Sequence, residues 1–108
     1  MRKLDIATLK LDAAGLVSVI VQDHNSLQVL MLGYATPETL RESMDIGKLV
    51  FFSRSRSSRW LKGETSGNYL ELKGLYQDCD ADAVLALVEP VGPTCHTGAT
   101  SCFEEPDD

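Results

Sequence analysis

The sequence predicts an α+β fold that is mainly β: a small single domain of antiparallel strands with one or two short helices. Three observations lead to this prediction. Several short segments are apolar and rich in β-branched side chains, or alternate apolar with polar residues. Only one segment carries both a helix start and a helix end signal. The length of 108 residues, 44% of them hydrophobic and 24% charged, fits one compact domain over 1–108.

The first predicted elements are a hairpin and a helix. Residues 16–21 and 29–32 are apolar, and a cluster of turn formers at 23–26 lies between them, which favours a β-hairpin. A threonine, a proline and a glutamate then open a helix at 37–46, and Gly47 follows as its terminator.

Strands and loops alternate in the rest of the chain. Residues 49–52 have strand character, and the polar residues 53–59 predict a loop. A second loop is expected at 62–68, where two glycines let backbone amides approach a ligand. Further strands are predicted at 69–77 and 83–89, and the tail at 104–108 is expected to be disordered.

Charge and cysteine content narrow the class of protein. The net charge of −6 disfavours nonspecific binding to nucleic acid or an anionic membrane, yet four of the ten basic residues lie between 54 and 62, which suggests a small anionic ligand. Three cysteines without an apolar signal sequence disfavour a disulfide-bonded secreted fold. The longest apolar run is too short to span a bilayer. We therefore expect a soluble, cytoplasmic protein.

Asp78, Asp80 and Asp82 alternate along the chain and would lie on one side of an extended segment. Carboxylates suit a hard cation such as magnesium, although a solvated acidic turn is the simpler interpretation. An EF-hand is rejected because Ala83 stands where its loop requires glycine.

The cysteines Cys79, Cys95 and Cys102 lack the close C-x2-C pairs of zinc ribbons. Three thiolates leave a tetrahedral zinc with one open position, as in a catalytic site. Their spacing is also compatible with a structural zinc, with His96 as a fourth ligand, or with buried free thiols. Beside a metal site, His96 is our candidate general acid or base, and the alternative is that it only orients its loop.

The two predicted loops carry groups suited to binding phosphate, and the alternative is a flexible polar loop. Guanidinium forks, hydroxyls, an ammonium group and a glycine backbone are suited to phosphate, and Trp60 is either a base-stacking residue or a core anchor. The candidate substrate-binding residues are Ser53, Arg54, Arg56, Trp60, Lys62, Gly63, Thr65 and Ser66.

Taken together, these motifs resemble the phosphoribosyl-AMP cyclohydrolase family of histidine biosynthesis, and the resemblance covers roughly 16–103. It is carried by five blocks in the same order and spacing: residues 29–34 (VLMLGY), 51–56 (FFSRSR), 60–68 (WLKGETSGN), 78–82 (DCDAD) and 92–98 (GPTCHTG), closed by 101–103 (SCF). Two positions depart from the family pattern. Asn68 stands where many relatives have histidine, and Gly33 replaces an alanine, a change that we expect to matter little.

The resemblance implies an enzyme, a metal-dependent hydrolase. The implied reaction is the third step of histidine biosynthesis: a zinc-activated water opens the adenine ring of 1-(5-phosphoribosyl)-AMP between N1 and C6, giving the phosphoribosyl-formimino-AICAR nucleotide. An intertwined homodimer is also implied, with zinc held by Cys79 of one chain and Cys95 and Cys102 of the other. The three aspartates would hold magnesium. The chain reaches its last residue without the pyrophosphohydrolase domain fused in many relatives, so we expect the stand-alone form.

A different class of function is also compatible with these residues. The alternative function is a zinc-stapled dimeric module that binds nucleotides without turning them over. A broader zinc-dependent deaminase is disfavoured, because the H-x-E and P-C-x-x-C pattern is absent from the sequence.

Overall fold

The fold is that of a computed structural model, which describes residues 1–105. Strands dominate it, in agreement with the predicted mainly β class. The elements are a 3₁₀ turn at Ile6–Thr8, β1 at Val17–Asp23, β2 at Val29–Ala35, α1 at Pro37–Ile46, β3 at Val50–Ser53, β4 at Ser58–Leu61, β5 at Leu70–Gln77 and β6 at Ala83–Pro90.

Two sheets make up the domain. The larger has the order β2-β1-β6-β5, and the smaller pairs β3 with β4. The β1–β2, β5–β6 and β3–β4 pairs are antiparallel, as predicted. The central β1–β6 pair is parallel, which local patterns did not indicate, because a long excursion of the chain separates these two strands.

The predicted hairpin and helix are both confirmed. The helix occupies Pro37–Ile46, with the bounds expected from the sequence. Thr36 caps it through a reciprocal pair of hydrogen bonds with Thr39, and Gly47 ends it in the left-handed conformation at φ 72°. Ser43 then ties the helix to β3, since its Oγ accepts a 2.8 Å hydrogen bond from the Val50 backbone N–H.

The prediction of one continuous loop at 53–59 is wrong. Only 54–57 form a turn, and Ser58–Leu61 is strand β4, paired with β3. The polar residues Ser58 and Arg59 are exposed on this strand, so it lacks the apolar alternation by which strands are recognised. Pairing with β3 across a short hairpin imposes the strand conformation.

The larger sheet buries one face and exposes the other. Its inner face carries residues such as Val19, Val21 and Val88, each fully buried in the main core. On the outer face, Leu32, Ile20, Leu85 and Tyr76 are neighbours in register across the four strands. Ile20 and Leu32 are 38% and 47% exposed, so this outer apolar row is open to solvent in a single chain.

The expected disordered tail lies largely outside the described residues. Within them, Glu104 accepts a hydrogen bond from the side chain of Gln28, and its backbone N–H donates to the Ser101 carbonyl. Tail disorder therefore stays a prediction. None of the helices within residues 1–105 has the length and apolar content that crossing a membrane requires.

Candidate metal centre and nucleotide pockets

The three aspartates do come together, but in a turn rather than on an extended strand. Residues 79–82 turn between β5 and β6. Asp78 Oδ1 accepts hydrogen bonds from the backbone N–H groups of Asp82, at 3.0 Å, and Ala83, at 3.3 Å. Ala81 adopts a left-handed φ of 61° to close the turn. The prediction of extended backbone is wrong, because Asp78 folds the segment back on itself.

This arrangement, which we call the acidic turn, is suited to a hard cation. Carboxylate oxygens of Asp78, Asp80 and Asp82 lie within 4.8 Å of one another, and all three side chains are exposed. Hydrogen bonding to Asp80 and Asp78, together with desolvation and their negative charge, raises the pKa of Asp82 to about 6. Desolvation opposes the shift at Asp78, but hydrogen bonds from Asp82 and the backbone lower its pKa. A divalent cation would relieve this crowding of negative charge.

Two of the three cysteines lie in a second region, the cysteine loop, at residues 92–102. Cys102 donates its backbone N–H to the Leu30 carbonyl at 2.7 Å. The buried Ser101 hydroxyl donates to the Val29 carbonyl at 2.7 Å, which fixes the loop against the start of β2. At the other side of the loop, Cys95 accepts through its carbonyl from Gly98 and donates its N–H to Ala99.

The Cys95 and Cys102 side chains are close enough to influence each other's ionisation. A 3.1 Å hydrogen bond from the Thr97 hydroxyl is the main cause that lowers the pKa of the Cys95 thiol, and Cys102 and Lys62 act in the same direction. Desolvation raises the pKa of Cys102, and the neighbouring Cys95 adds to that rise. A stabilised thiolate beside a second thiol fits a zinc ion as a donor set. The interpretation as buried free thiols is wrong, because none of the three cysteines is buried.

Cys79 does not join these two sulfurs within one chain. The acidic trio is the one group of three or more potential metal-ligating side chains that converges among residues 1–105. Cys79 precedes β6 and the cysteine loop follows it, and an eight-residue strand spans roughly 25 Å at ~3.3 Å per residue. A three-cysteine site therefore requires Cys79 from a second chain.

The cysteine loop forms one wall of a pocket of about 360 Å³, which we call the cysteine pocket. The opposite wall is the loop at 62–66, which was predicted to bind phosphate. Gly63 permits the close turn of that loop: its φ is 89°, and a Cβ there would lie 2.5 Å from the backbone of Asn68. The predicted site residues that the structure brings together here are Trp60, Lys62, Gly63, Thr65, Ser66, Cys95 and His96.

His96 is exposed at this pocket, and its Nδ1 lies 4.0 Å from the Cys95 sulfur. The ring is thus adjacent to the candidate metal ligands and open to a bound molecule. That position is compatible with a general acid or base, the role predicted for it.

The remaining predicted substrate residues lie in a second pocket, of about 330 Å³, which we call the hairpin pocket. Ser53 ends β3, Arg54 and Arg56 come from the turn between β3 and β4, and Trp60 is shared by the two pockets. Its floor depends on Gly33, because a Cβ there would lie 2.7 Å from Cδ1 of the buried Phe51 ring. The expectation that glycine at 33 matters little is therefore wrong for this packing.

Sequence reasoning assigned no role to three residues that line these pockets. Thr94 adjoins Cys95, and its buried hydroxyl has no hydrogen-bond partner among the described residues. Asn68 contacts Gly92, where a Cβ would lie 2.5 Å from the Asn68 Oδ1. Tyr34 stacks under the Arg54 guanidinium, 3.9 Å from the ring centroid. The contacts of Asn68 and Tyr34 exist only in the tertiary structure, whereas Thr94 is already next to Cys95 in the sequence.

Comparison with known proteins gives a consistent result. The model of the phosphoribosyl-AMP cyclohydrolase family matches residues 31–104, which include both pockets, the acidic turn and the cysteine loop. The histidine biosynthesis bifunctional protein HisIE of Vibrio cholerae is 53% identical over 90 residues, which are 83% of this chain and 43% of that protein.

Two further relatives extend the match. The protein of the same name from Caldanaerobacter subterraneus is 52% identical over 100 residues, which are 93% of this chain and 49% of that protein. The phosphoribosyl-AMP cyclohydrolase of Bifidobacterium longum is 48% identical over 99 residues, covering 92% of this chain and 76% of that protein. The chain thus spans about half the length of its bifunctional relatives.

Proposed function

Because the chain belongs to the phosphoribosyl-AMP cyclohydrolase family, we propose that it opens the adenine ring of 1-(5-phosphoribosyl)-AMP by hydrolysis of the N1–C6 bond. One observation carries the proposal: a single pocket is lined by Cys95 and His96 from the cysteine loop and by Lys62, Thr65 and Ser66 from the loop that faces it. Such a pocket combines a candidate metal ligand, a proton-transfer group and phosphate-binding groups around one ligand.

The proposal includes two metals, which differ in their donor sets. Cys95 and Cys102, with Cys79 of a second chain, would hold zinc, and the acidic turn would hold magnesium. When bound, zinc supplies a Lewis acid that makes water nucleophilic near neutral pH. The Thr97 hydroxyl contributes by favouring the thiolate form of Cys95, which is the form that binds metal.

His96 is proposed to move the protons of the reaction. Attack of water on C6 releases a proton, and rupture of the N1–C6 bond leaves a nitrogen that must gain one. His96 can take the first and deliver the second, because its exposed ring borders the pocket next to Cys95. The purine is electron-poor at C6, since N1 carries the second ribosyl group.

Lys62 and the hydroxyls of Thr65 and Ser66 are proposed to hold the substrate at the cysteine pocket. These groups neutralise and hydrogen-bond phosphate oxygens while Gly63 keeps the loop closed behind them. Arg54 and Arg56 provide a second cationic surface in the hairpin pocket. Two cationic surfaces match a substrate with two phosphates.

We also propose a homodimer in the cytoplasm, in which the outer apolar row of the larger sheet meets a second copy. Ile20 and Leu32 lie on that face with Leu85 and Tyr76, and a groove of about 330 Å³ continues from it to Asp78, next to Cys79. Covering this face removes apolar surface from water and sets the partner close to Cys79.

Charged side chains on the outer apolar row should prevent this association. The double variant Ile20→Asp with Leu32→Asp should sediment as a monomer in analytical ultracentrifugation, whereas Leu27→Asp, at an exposed position in the β1–β2 turn, should still sediment as a dimer.

The activity is tested directly with purified protein and phosphoribosyl-AMP, following the absorbance change of ring opening. We expect turnover that a chelator removes and zinc restores. Cys95→Ser should abolish turnover, and His96→Ala should lower it by about a hundredfold or more in a protein that still folds. A protein that binds the nucleotide but never opens the ring, at any metal load, would instead be a nucleotide-binding module.

A further inference from the structure

The hairpin pocket is lined by aromatic rings and arginines, and it contains no proposed metal ligand. Its mouth carries Arg54, Arg56 and the hydroxyls of Ser53 and Ser55, whose oxygens lie 3.3 Å apart. Trp60 lines both this pocket and the cysteine pocket, so the two adjoin at its side chain. One extended ligand can therefore occupy both pockets across a single aromatic residue.

Not every arginine of the β3–β4 hairpin is available to a ligand. Arg59 is engaged by Glu42 of α1 through two hydrogen bonds, one of them 2.6 Å between Nε and Oε1. Arg54 and Arg56 have no carboxylate within salt-bridge distance among the described residues. Their charge is thus left for an anion from outside the chain.

Tyr34 fixes the position of Arg54. The guanidinium carbon lies 3.9 Å from the centroid of the Tyr34 ring, whereas Arg56 is 5.9 Å from the centroid of Trp60. Tyr34 is held in strand β2, where it is in register with Ser18 of β1. A rigid ring under a long exposed side chain reduces the conformational entropy that Arg54 loses on binding an anion.

We propose that the hairpin pocket is a separate subsite for one phosphate-ended ribosyl group of the substrate, and that Tyr34 is the positioning residue that holds Arg54 for it. The inference rests on the proposed function for the identity of the substrate. The pocket supplies what this group needs: a guanidinium fork and serine hydroxyls for the phosphate, and aromatic surface for the sugar. The reacting ring then lies in the cysteine pocket, on the other side of Trp60.

The test uses ribose 5-phosphate, a probe with the phosphate and sugar but no ring to open, titrated by calorimetry. Tyr34→Leu should weaken its binding about two- to fivefold, the range expected for an exposed cation–π contact. Tyr34→Phe keeps the aromatic face and should bind as the wild type does. In the Arg54→Met background, Tyr34→Leu should cause no further loss, because the residue acts through Arg54.

Steady-state kinetics separate positioning from a general structural effect. Tyr34→Leu should raise KM for phosphoribosyl-AMP by the same factor and leave kcat unchanged, since the contact is remote from the reacting ring. The subsite is overturned if Tyr34→Leu binds the probe as tightly as the wild type does, or if the wild type does not bind the probe at millimolar concentration. It is also overturned if Lys62→Met loses affinity for the probe while Arg54→Met does not. If the wild type binds the probe but opens no ring, the proposed function fails while the subsite stands.

Discussion

The acidic turn and the cysteine loop lie at opposite ends of β6, and they gather metal-binding groups in different ways. The acidic turn places three carboxylates within 4.8 Å of one another, using only residues 78–83 of one chain. The cysteine loop gathers two thiols and depends on distant partners, because Ser101 and Cys102 hydrogen-bond to β2, about seventy residues earlier. The candidate hard-cation site is thus encoded locally, whereas the proposed soft-metal site would require tertiary structure and a second chain.

The largest expected effect tests whether the second chain completes the zinc site. Cys79→Ser and Cys95→Ser should each lose activity by roughly a hundredfold or more, since each removes a ligand from every site. When the two variants are co-expressed, half of the dimers are mixed, and each mixed dimer has one intact site. Activity should then recover to roughly a quarter of the wild-type value.

The matched control is co-expression of Cys95→Ser with Cys102→Ser. Both ligands come from the same chain, so every site of a mixed dimer lacks one sulfur, and we expect no recovery. If this pair recovers as well as the first, or if the first pair does not recover, the thiols are not divided between subunits in the proposed way.

The next effect concerns the dependence of the cysteine loop on β2. Ser101→Ala removes a buried hydroxyl and its part-buried hydrogen bonds with the Val29 carbonyl and the Phe103 N–H, which should cost about 1 kcal/mol of unfolding free energy. Ser26→Ala is the control, because Ser26 also accepts one backbone N–H two residues ahead but is exposed, and its cost should stay below about 0.5 kcal/mol. Urea unfolding followed by far-UV circular dichroism measures both. Equal costs would mean that the loop is not held by this contact.

Local signals account for what the sequence predicted correctly. The helix over 37–46 was predicted because its cap, its first-position proline and its terminating glycine all lie within the segment itself. Strand β4 was missed because Ser58 and Arg59 face solvent and owe their conformation to β3. The parallel β1–β6 pair was missed for a related reason: no local pattern records which strand lies beside another.

The same distinction applies to the site. Side-chain chemistry identified the ligands and the phosphate-binding loops as candidates. It could not divide the candidate substrate residues between two pockets, because that division depends on the fold, which makes Trp60 line both pockets. Nor could it find Tyr34, whose proposed role arises from contact with a residue twenty positions later. Residue types indicate which chemistry a site can carry out, whereas the fold determines where the side chains lie.

A smaller effect should appear when the charge of the acidic turn is reduced. Asp82→Asn removes the carboxylate whose pKa is raised to about 6, but it keeps the backbone N–H that donates a hydrogen bond to Asp78 Oδ1. Without metal, we expect Asp82→Asn to melt at a higher temperature than the wild type at neutral pH. Magnesium should raise the melting temperature of the wild type, and the variant should lose most of that rise. Glu105→Gln removes one negative charge outside the turn and should change neither property. Unaltered stabilisation by magnesium in Asp82→Asn would show that the cation binds elsewhere.

The pH dependence of the same variant follows from the direction of the shift. The folded protein holds the proton of Asp82 up to about pH 6, above the ordinary aspartate value of 3.8, so it binds this proton more tightly than the unfolded chain. The stabilisation is therefore present at low pH and is lost as the pH rises through this window. The lowered pKa of Asp78 acts in the opposite direction, at pH values below 3.8. Between pH 3.8 and about pH 6, the unfolding free energy of metal-free Asp82→Asn should therefore change less with pH than that of the wild type.

The smallest effect tests whether the acidic turn is stabilised by its own backbone. Ala81 has a φ of 61°, a conformation that costs a residue with a Cβ roughly 1–2 kcal/mol and glycine almost nothing. Against this, glycine gains freedom in the unfolded chain, so Ala81→Gly should stabilise the metal-free protein by up to about 1 kcal/mol. Ala14→Gly is the control in a turn at negative φ and should cost about 0.4–1 kcal/mol. If Ala81→Gly is as destabilising as Ala14→Gly, contacts outside the turn hold Ala81 in its left-handed conformation. The acidic turn would then depend on distant residues as much as the cysteine loop does.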